Sequence, residues 1–357
     1  MADDASRKDC ETPKLSGFTI VRLLGRGGMA SVWEARQHDP DRTVAIKILN
    51  DDISRNPEDV EAFYAEAKRA AALDHENIVT VFEVGCKHGH YYYVMELAAG
   101  YDTGTWLRRK GHLGEGDVLT IAESVAVALD YAFKTIGIIH CDIKPANSMV
   151  HDDGTVRLTD LGIARFARTP SIDEGYVSGT PAFMSPEQVR GEALDTRADI
   201  YSLGATLYNL VTGHRLFEGR PDGEAMEAQC GEQAPDIRSL NQDISYPFAA
   251  LVSQMLAKDR ELRPSGWSFL IRDIQRVRQG LMPLGRLPVG EESTMRLDPS
   301  PDGNCGTAPA DASDAAPSGR SPTRRSRVMT ALWIVATALA SAAAFALAYL
   351  ATLRALR

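Results

Sequence analysis

The sequence predicts an α+β protein with a small strand-rich first part, a larger helical second part and one more apolar helix close to its C-terminus. Two patterns predict the first two parts. Short alternating runs broken by glycine turns dominate up to Leu97, and apolar residues at helical spacing dominate from Asp117 onward. The third part rests on an uncharged stretch from Val328 to Leu353.

A chain of 357 residues, 44% of them hydrophobic, holds enough apolar material for one large domain or two ordinary ones with extensions. Its net charge of −9 argues against nonspecific binding to nucleic acid, which depends on clustered Lys and Arg, so no nucleic-acid partner is expected. Cys10, Cys86, Cys141, Cys230 and Cys305 are scattered and never spaced as C-x-x-C, which indicates neither a disulfide framework nor a zinc site and fits a reducing cytoplasm. Residues 1–16, with Asp3, Asp4 and Asp9 and no apolar run, lack the form of a signal peptide and are expected to be a mobile tail.

In the first part, Thr19 to Leu24 reads as a strand, Gly25 to Ala30 as a glycine-rich turn, and Ser31 to Ala35 as the returning strand. Glycines let backbone N–H groups approach phosphate oxygens closely, although an ordinary hairpin has the same look. Val44 to Ile48 is an apolar strand interrupted by Lys47, a lysine that needs a partner or a water-facing side. Pro57 to Leu73, with Val60, Phe63, Tyr64, Ala67, Ala70 and Ala71 at helical spacing, reads as a helix that carries the candidate partner Glu66. Asn77 to Val84 and His90 to Leu97 complete five strands, joined by a turn at Gly85 to Gly89. His88 and His90 fall in or beside that turn, and no further donor nearby in sequence supports a metal site there.

The helical part begins with Asp117 to Ile136 and continues with Asp199 to Thr212, ended by Gly213, and Pro247 to Met255. Between the first two lies His140-Cys141-Asp142-Ile143-Lys144-Pro145-Ala146-Asn147, followed by Asp160-Leu161-Gly162. Two carboxylates, an amide and a lysine on two turns suit transfer of a phosphoryl group, which needs positioning and charge neutralisation more than covalent help from the protein. Asp142 is placed to accept a hydroxyl proton, Lys144 to steady the moving phosphate, and Asn147 with Asp160 to hold a divalent metal.

Taken in order, these residues resemble a protein kinase domain over Phe18 to Gln279, and more closely the bacterial eukaryotic-like Ser/Thr kinases. The resemblance is carried by Gly25-x-Gly27-x-x-Ala30-x-Val32, Val44-Ala45-Ile46-Lys47, Glu66, His140-x-Asp142 to Asn147, Asp160-Leu161-Gly162, Gly179-Thr180-Pro181, Ser185-Pro186-Glu187, Asp199 and Arg263. It implies a two-lobed fold over residues 17–279, with a β-rich N-lobe and a helical C-lobe, that transfers the γ-phosphoryl group of ATP to Ser or Thr of protein substrates. Magnesium, with manganese as an alternative, would be the metal.

The resemblance also implies roles. Lys47, paired with Glu66, would grip the α- and β-phosphates while Leu24, Gly25, Gly27, Gly28 and Ala30 cover the nucleotide. Val32, Ala45 and Met149 would sandwich adenine, Met95 matches the gatekeeper, and the backbone of Glu96 and Ala98 would bond the adenine edge. Asp142 would be the catalytic base beside Lys144, Asn147 and Asp160 the metal ligands, and Thr180 a hydroxyl ordering the substrate-facing loop. Glu187 with Arg263, and Asp199, would be structural ties.

Four departures stand out. Cys141 occupies the place of an arginine that pairs with loop phosphate, so activity is expected to depend less on loop phosphorylation. Ala30 replaces the third glycine, Leu161 a phenylalanine and Leu216 a common proline. The loop from Gly162 to Gly179 carries Thr169, Ser171, Tyr176 and Ser178; Thr169 and Ser171 occupy the usual region of autophosphorylation. The alternative reading is a catalytically silent nucleotide-binding scaffold.

Past Gln279 the prolines Pro283, Pro288, Pro299, Pro301, Pro309, Pro317 and Pro322 stand among Gly, Ser, Asp and Ala, and residues 280–327 read as a disordered linker. At about 1.5 Å per residue, Val328 to Leu353 reaches about 39 Å, more than the ~30 Å hydrocarbon core of a bilayer. Arg320, Arg324, Arg325 and Arg327 precede it and only Arg354 and Arg357 follow, which predicts a single-pass helix in the cell (inner) membrane with the domain on the cytoplasmic side. The four residues 354–357 leave a short tail with no room for a sensor module. Ala336, Ala340, Ala344 and Ala348 form a small-residue stripe, read either as a homodimer contact or as a plain alanine-rich anchor.

Overall fold

Three strands of nine residues open the described chain: β1 (Phe18–Arg26), β2 (Ala30–His38) and β3 (Asp41–Leu49). With β4 (Val81–Lys87) and β5 (His90–Glu96) they form one antiparallel sheet in the order β1-β2-β3-β5-β4. This computed structural model describes residues 12–160 and 180–285 and the backbone of 165–166, all within one unit, Met1–Ser293. The hydroxyls Thr169, Ser171, Tyr176 and Ser178, the departure Leu161, most of the expected linker, and the stretch 328–353 with its alanine stripe lie outside the described residues. Among the described residues no helix is long and apolar enough to cross a membrane.

Period-two alternation gives the sheet two faces with different tasks. On one, Val44, Ile46 and Ile48 share a small core with Trp33, Tyr92 and Val94. Leu15, 4% exposed, closes that core, and Ser16 O accepts from Lys87 Nζ at 3.0 Å, so the end of the expected mobile tail is packed. On the other face Ala45 and Lys47 of β3 lie opposite Met95 and Tyr93 of β5, and Val32 of β2 lies opposite Lys47.

Helix α1 (Pro57–Ala71) covers part of this second face. Asn56 caps it by accepting from Glu58 N, Pro57 pre-sets its first turn, and Glu58 with Asp59 complements its N-terminal dipole. Phe63, Glu66, Ala67 and Ala70 follow the i, i+3, i+4, i+7 pattern and form its buried face. Burying Phe63 completely stabilises the packing by about 2–3 kcal/mol, which holds α1 against Leu49 and Tyr93 and so fixes where Glu66 points.

The strand read from Asn77 begins only at Val81. Its first residues are taken by a different partner: Ile78 bridges Leu158 in parallel, with Leu158 N donating to Asn77 O at 2.8 Å and Val79 N donating to Leu158 O at 3.0 Å. These bonds tie the strand-rich part to the helical part.

The second part holds β6 (Tyr101–Asp102), α2 (Thr103–Lys110), α3 (Glu115–Ile136), β7 (Ile138–Ile139), β8 (Ser148–Val150), β9 (Val156–Leu158) and β10 (Arg165–Phe166). After these come α4 (Pro186–Val189), α5 (Thr196–Thr212), α6 (Asp222–Gly231), α7 (Ile237–Leu240), α8 (Tyr246–Met255) and α9 (Trp267–Arg278). Helix α5 is buried at every position but Arg197, so it runs through the middle of the large core and not along its surface. It starts three residues before the expected Asp199 because Asp195 caps it, and Gly213, with φ 81°, ends it as expected.

Arg263 fastens this core. Its side chain is 0% exposed, makes a two-pronged pair with Glu187 at 2.6 and 2.9 Å, and donates to the carbonyls of Ala257, Arg197 and Lys258. Nearby, Lys258 Nζ donates to the Tyr201 hydroxyl at 2.7 Å and lies over the rings of Tyr201 and Phe217. Burial, reinforced by the Arg263 charge, pulls the Lys258 ammonium down to about 8. Between that value and the ordinary lysine range near 10.4 the unfolded chain holds a proton that the folded chain has released, so stability rises with pH across this window. Below the window the penalty is fully present. Lys258→Met is therefore expected to be more stable than the parent at pH 7 by roughly 1 kcal/mol, after allowing for solvent screening, and the gap is expected to close by pH 10. Urea unfolding of both proteins at the two pH values checks this.

Candidate active site

Lys47 stands at the centre of the second sheet face, and its Nζ lies 2.8 Å from Glu66 Oε1 and 2.7 Å from Asp160 Oδ1. Strand register fixes the first residue, the buried face of α1 the second, and the segment after β9 the third. The Tyr93 hydroxyl donates to the same Glu66 Oε1 at 2.8 Å, so that oxygen accepts from two donors. Burial opposes the charge on Lys47, but the Asp160 and Glu66 carboxylates outweigh it and hold the ammonium above the ordinary lysine range. Asp160 adopts φ 56°, a left-handed conformation in which aspartate is one of the more tolerated residues after glycine.

The second cluster is built on the loop after β7. Asp142 is 9% exposed. Lys144 Nζ donates to Asp142 Oδ2 at 2.6 Å and to Thr180 Oγ1 at 3.0 Å, and Thr180 donates its own hydroxyl hydrogen to Asp142 Oδ1 at 3.0 Å. Asn147 Nδ2 donates to the Asp142 carbonyl at 2.9 Å. A carbonyl only accepts, so this bond fixes the amide with its nitrogen towards Asp142 and leaves Oδ1 facing elsewhere. Buried Asn147 thus offers an oxygen with no hydrogen-bond partner among the described residues, and Asp160 Oδ2 likewise. Two uncommitted oxygen acceptors suit a hard divalent cation such as magnesium.

Asp199, 1% exposed, lies beneath this loop and accepts from the backbone N–H of His140 at 2.7 Å and of Cys141 at 2.8 Å. Burial pushes its carboxyl up, against the pull of His140 and the two N–H bonds. Cys141 takes φ 66° and is buried; its Sγ lies 3.6 Å from Ile139 O, and its carbonyl accepts from Gln188 Nε2 at 2.7 Å. A thiol turned back onto its own strand places no cation at this position.

The residues expected to hold a nucleotide divide. Val32, Ala45, Lys47 and Met95 share one sheet face, and Met149 lies on β8 in the helical part. Ala98 N–H and C=O make no hydrogen bond among the described residues, and so offer a donor and an acceptor at the join between the two parts. Glu96 N–H is already given to Thr80 O at 2.9 Å, so of its backbone groups only the carbonyl could serve the adenine edge, and its carboxylate pairs with Arg157.

The turn is narrower than expected: β1 continues through Gly25 and Arg26, which pair with Val32 and Ser31, and only Gly27, Gly28 and Met29 lie outside the strands. Leu24 sits in a bulge and is 39% exposed. The Ala30 methyl belongs to the apolar cluster with Leu49, Phe63, Ala67 and Tyr93, which includes the buried face of α1. Its carbonyl accepts from Gly27 N at 2.8 Å.

Sequence reasoning passed over Tyr93, Gln188 and Asn50. Tyr93 was recoverable in principle, since it stands two residues before Met95 on the same strand and so on the same face. Gln188 carries the local signal of a capping box with Ser185, but nothing local points to its bond with the Cys141 carbonyl, and Asn50 carries no local signal.

Comparison with known proteins agrees with this geometry. The protein kinase domain family matches residues 18–276, more than two thirds of the chain. The chain is 34% identical over 330 residues to the serine/threonine-protein kinase PknB of Mycolicibacterium smegmatis, an alignment covering 90% of this chain and 52% of PknB. It is 34% identical over 248 residues to PrkC of Bacillus subtilis, covering 69% and 38% respectively. It is also 36% identical over 270 residues to PknK of Mycobacterium tuberculosis, covering 73% and 24%. The chain thus spans between about a quarter and a half of the length of these curated relatives. Residues 18–276, with both charge clusters inside them, make this chain a member of the protein kinase domain family.

Proposed function

We propose that the chain is a Ser/Thr protein kinase that transfers the γ-phosphoryl group of ATP to protein hydroxyls. The observation that carries the reading is Asp142, whose carboxylate is held between Lys144 and Thr180. That arrangement fits a base beside an incoming hydroxyl, with a cation at hand for the phosphoryl oxygens. Lys47, kept charged and oriented by Glu66 and Asp160, fits contact with non-reacting phosphates. Magnesium bound with ATP would neutralise phosphate charge, and Asn147 and Asp160 carry the free oxygens suited to hold it. The relatives' names and Lys144 support Ser and Thr over Tyr as acceptors.

Asp142→Asn keeps the bulk of the side chain and removes its basicity, so phosphate transfer from radiolabelled ATP is expected to fall by about 10²–10⁴-fold while nucleotide binding persists. Nucleotide binding without any transfer in the parent would instead favour a signalling scaffold.

Autophosphorylation in the loop around Thr169 and Ser171 is part of the proposal, but control through it is expected to be weak. Cys141 offers no guanidinium to a loop phosphate, and its buried position leaves no room to supply one. Complete dephosphorylation by a phosphatase is expected to leave most of the activity on an added substrate in place; loss of nearly all of it would contradict this reading.

The sequence further supports a single-pass anchor at 328–353, a cytoplasmic domain and pairing of copies through the alanine stripe at Ala336 to Ala348. The full chain is expected to sediment with membranes and resist an alkaline carbonate wash, and a chain ending at Arg327 to remain in the supernatant. A full chain released by the wash would rule out the anchor.

A further inference from the structure

The cleft beside Asp142 has walls that the transfer chemistry does not use. Lys144 and Thr180, both bonded to Asp142, line it together with Phe183, and it encloses about 540 Å³ between α2 and the residues around the C-terminal end of α5. The charged side chains in its wall are Asp102, Glu218, Arg108, Arg215 and Lys144.

Three of these five are committed. Asp102 caps α2, accepting from Thr105 N at 2.8 Å and from the Thr105 hydroxyl. Glu218 pairs with His214 at 2.8 Å, and Lys144 is held by Asp142. Arg108 and Arg215 differ: both are exposed, and among the described residues neither has a carboxylate within ion-pair distance. Arg108 donates to the Thr105 hydroxyl at 2.6 Å, and Arg215 makes no hydrogen bond among the described residues. Ala146, exposed between Lys144 and Asn147, adds no negative charge to the rim.

Two guanidinium groups without a carboxylate partner among the described residues, in the wall of a cleft also lined by the Lys144 and Thr180 that hold Asp142, are matched chemically by a carboxylate on the molecule that enters it. We infer that this cleft selects protein acceptors carrying an acidic side chain close to the phosphorylated Ser or Thr, with Arg108 and Arg215 as the specificity-determining cations. The inference rests on the kinase reading above. A cleft of this volume is on the order of 8 Å across, or two to three residues of extended chain at about 3.3 Å per residue. The acid therefore belongs within about three residues of the acceptor. Both arginines are solvent-exposed, so the preference is modest and falls with salt.

The test uses the full chain and a set of peptides with one Ser acceptor in a neutral background, carrying a single Glu or a single Lys at each of the three positions on either side. At one or more positions the Glu peptide is expected to exceed the Lys peptide in kcat/KM by about fivefold at low salt, with the ratio shrinking at high salt. The ratio is expected to reverse in the double variant Arg108→Glu with Arg215→Glu. Equal use of the two peptides at every position, or a preference for Lys, overturns the inference and leaves the kinase reading standing, because transfer has then been seen. A ratio unchanged by the charge reversal removes these two arginines from the proposal. If the double variant does not fold, Arg108→Gln and Arg215→Gln, measured singly, give the same comparison. No transfer to any peptide by a parent chain that binds nucleotide removes the kinase reading and this inference with it.

Discussion

An ammonium group shared by two carboxylates from distant parts of the chain, Lys47 between Glu66 and Asp160, is the constraint on which the rest of the site depends. The lysine belongs to a sheet, one acid to a helix lying across that sheet, and the other to a turn of the helical part. The positions of Lys47 and Glu66 alone are unfavourable, since burial strips water from a charge. Together they are satisfied only when strand register, helix rotation and the placement of the two parts agree. Phe63 and Ala67 set the rotation of α1, and the Ile78–Leu158 bridge helps set the placement, so apolar packing and backbone pairing jointly decide whether the charges meet.

The loop around Asp142 is stabilised differently. Asp199 holds the backbone N–H groups of His140 and Cys141 from below, and Gln188 takes the carbonyl of Cys141. With both ends of its peptide links committed, Cys141 can be kept at φ 66°, where a residue other than glycine is uncommon. The side chains of Asp142 and Asn147 are therefore carried on a loop that buried bonds to its backbone hold in place.

Much of this was legible in the sequence, for identifiable reasons. Lys47 in an apolar strand and Glu66 on the apolar face of a helix are visible because period two and period 3.6 are local properties. Asp142, Lys144, Asn147 and Asp160 are visible because their spacing is short and their chemistry specific. Strand pairing is not local: nothing near Asn77 says that Ile78 will bridge Leu158 before β4 begins, and nothing near Tyr93 says that its hydroxyl will reach Glu66. Helix α2 escaped notice because its eight residues are short and largely polar, with a start set by the Asp102 cap and not by an apolar stripe. Helix α9 did carry a readable stripe in Trp267, Leu270, Ile274 and Val277, all buried.

The glycine turn shows how one ordinary side chain can set the polarity of a backbone. Asn50, just past β3, donates its Nδ2 to the carbonyls of Gly27 at 3.2 Å and Gly28 at 2.9 Å, and its own N–H to Met29 O at 2.9 Å. A trans peptide unit is planar, with its C=O and the following N–H pointing in opposite directions. Drawing the two glycine carbonyls towards Asn50 therefore turns the N–H groups of Gly28 and Met29 the other way, while Gly27 N–H is spent on Ala30 O. The turn consequently has a positive side and a negative side before any ligand arrives. The amide of Asn50, outside every motif in the sequence, determines which side is which.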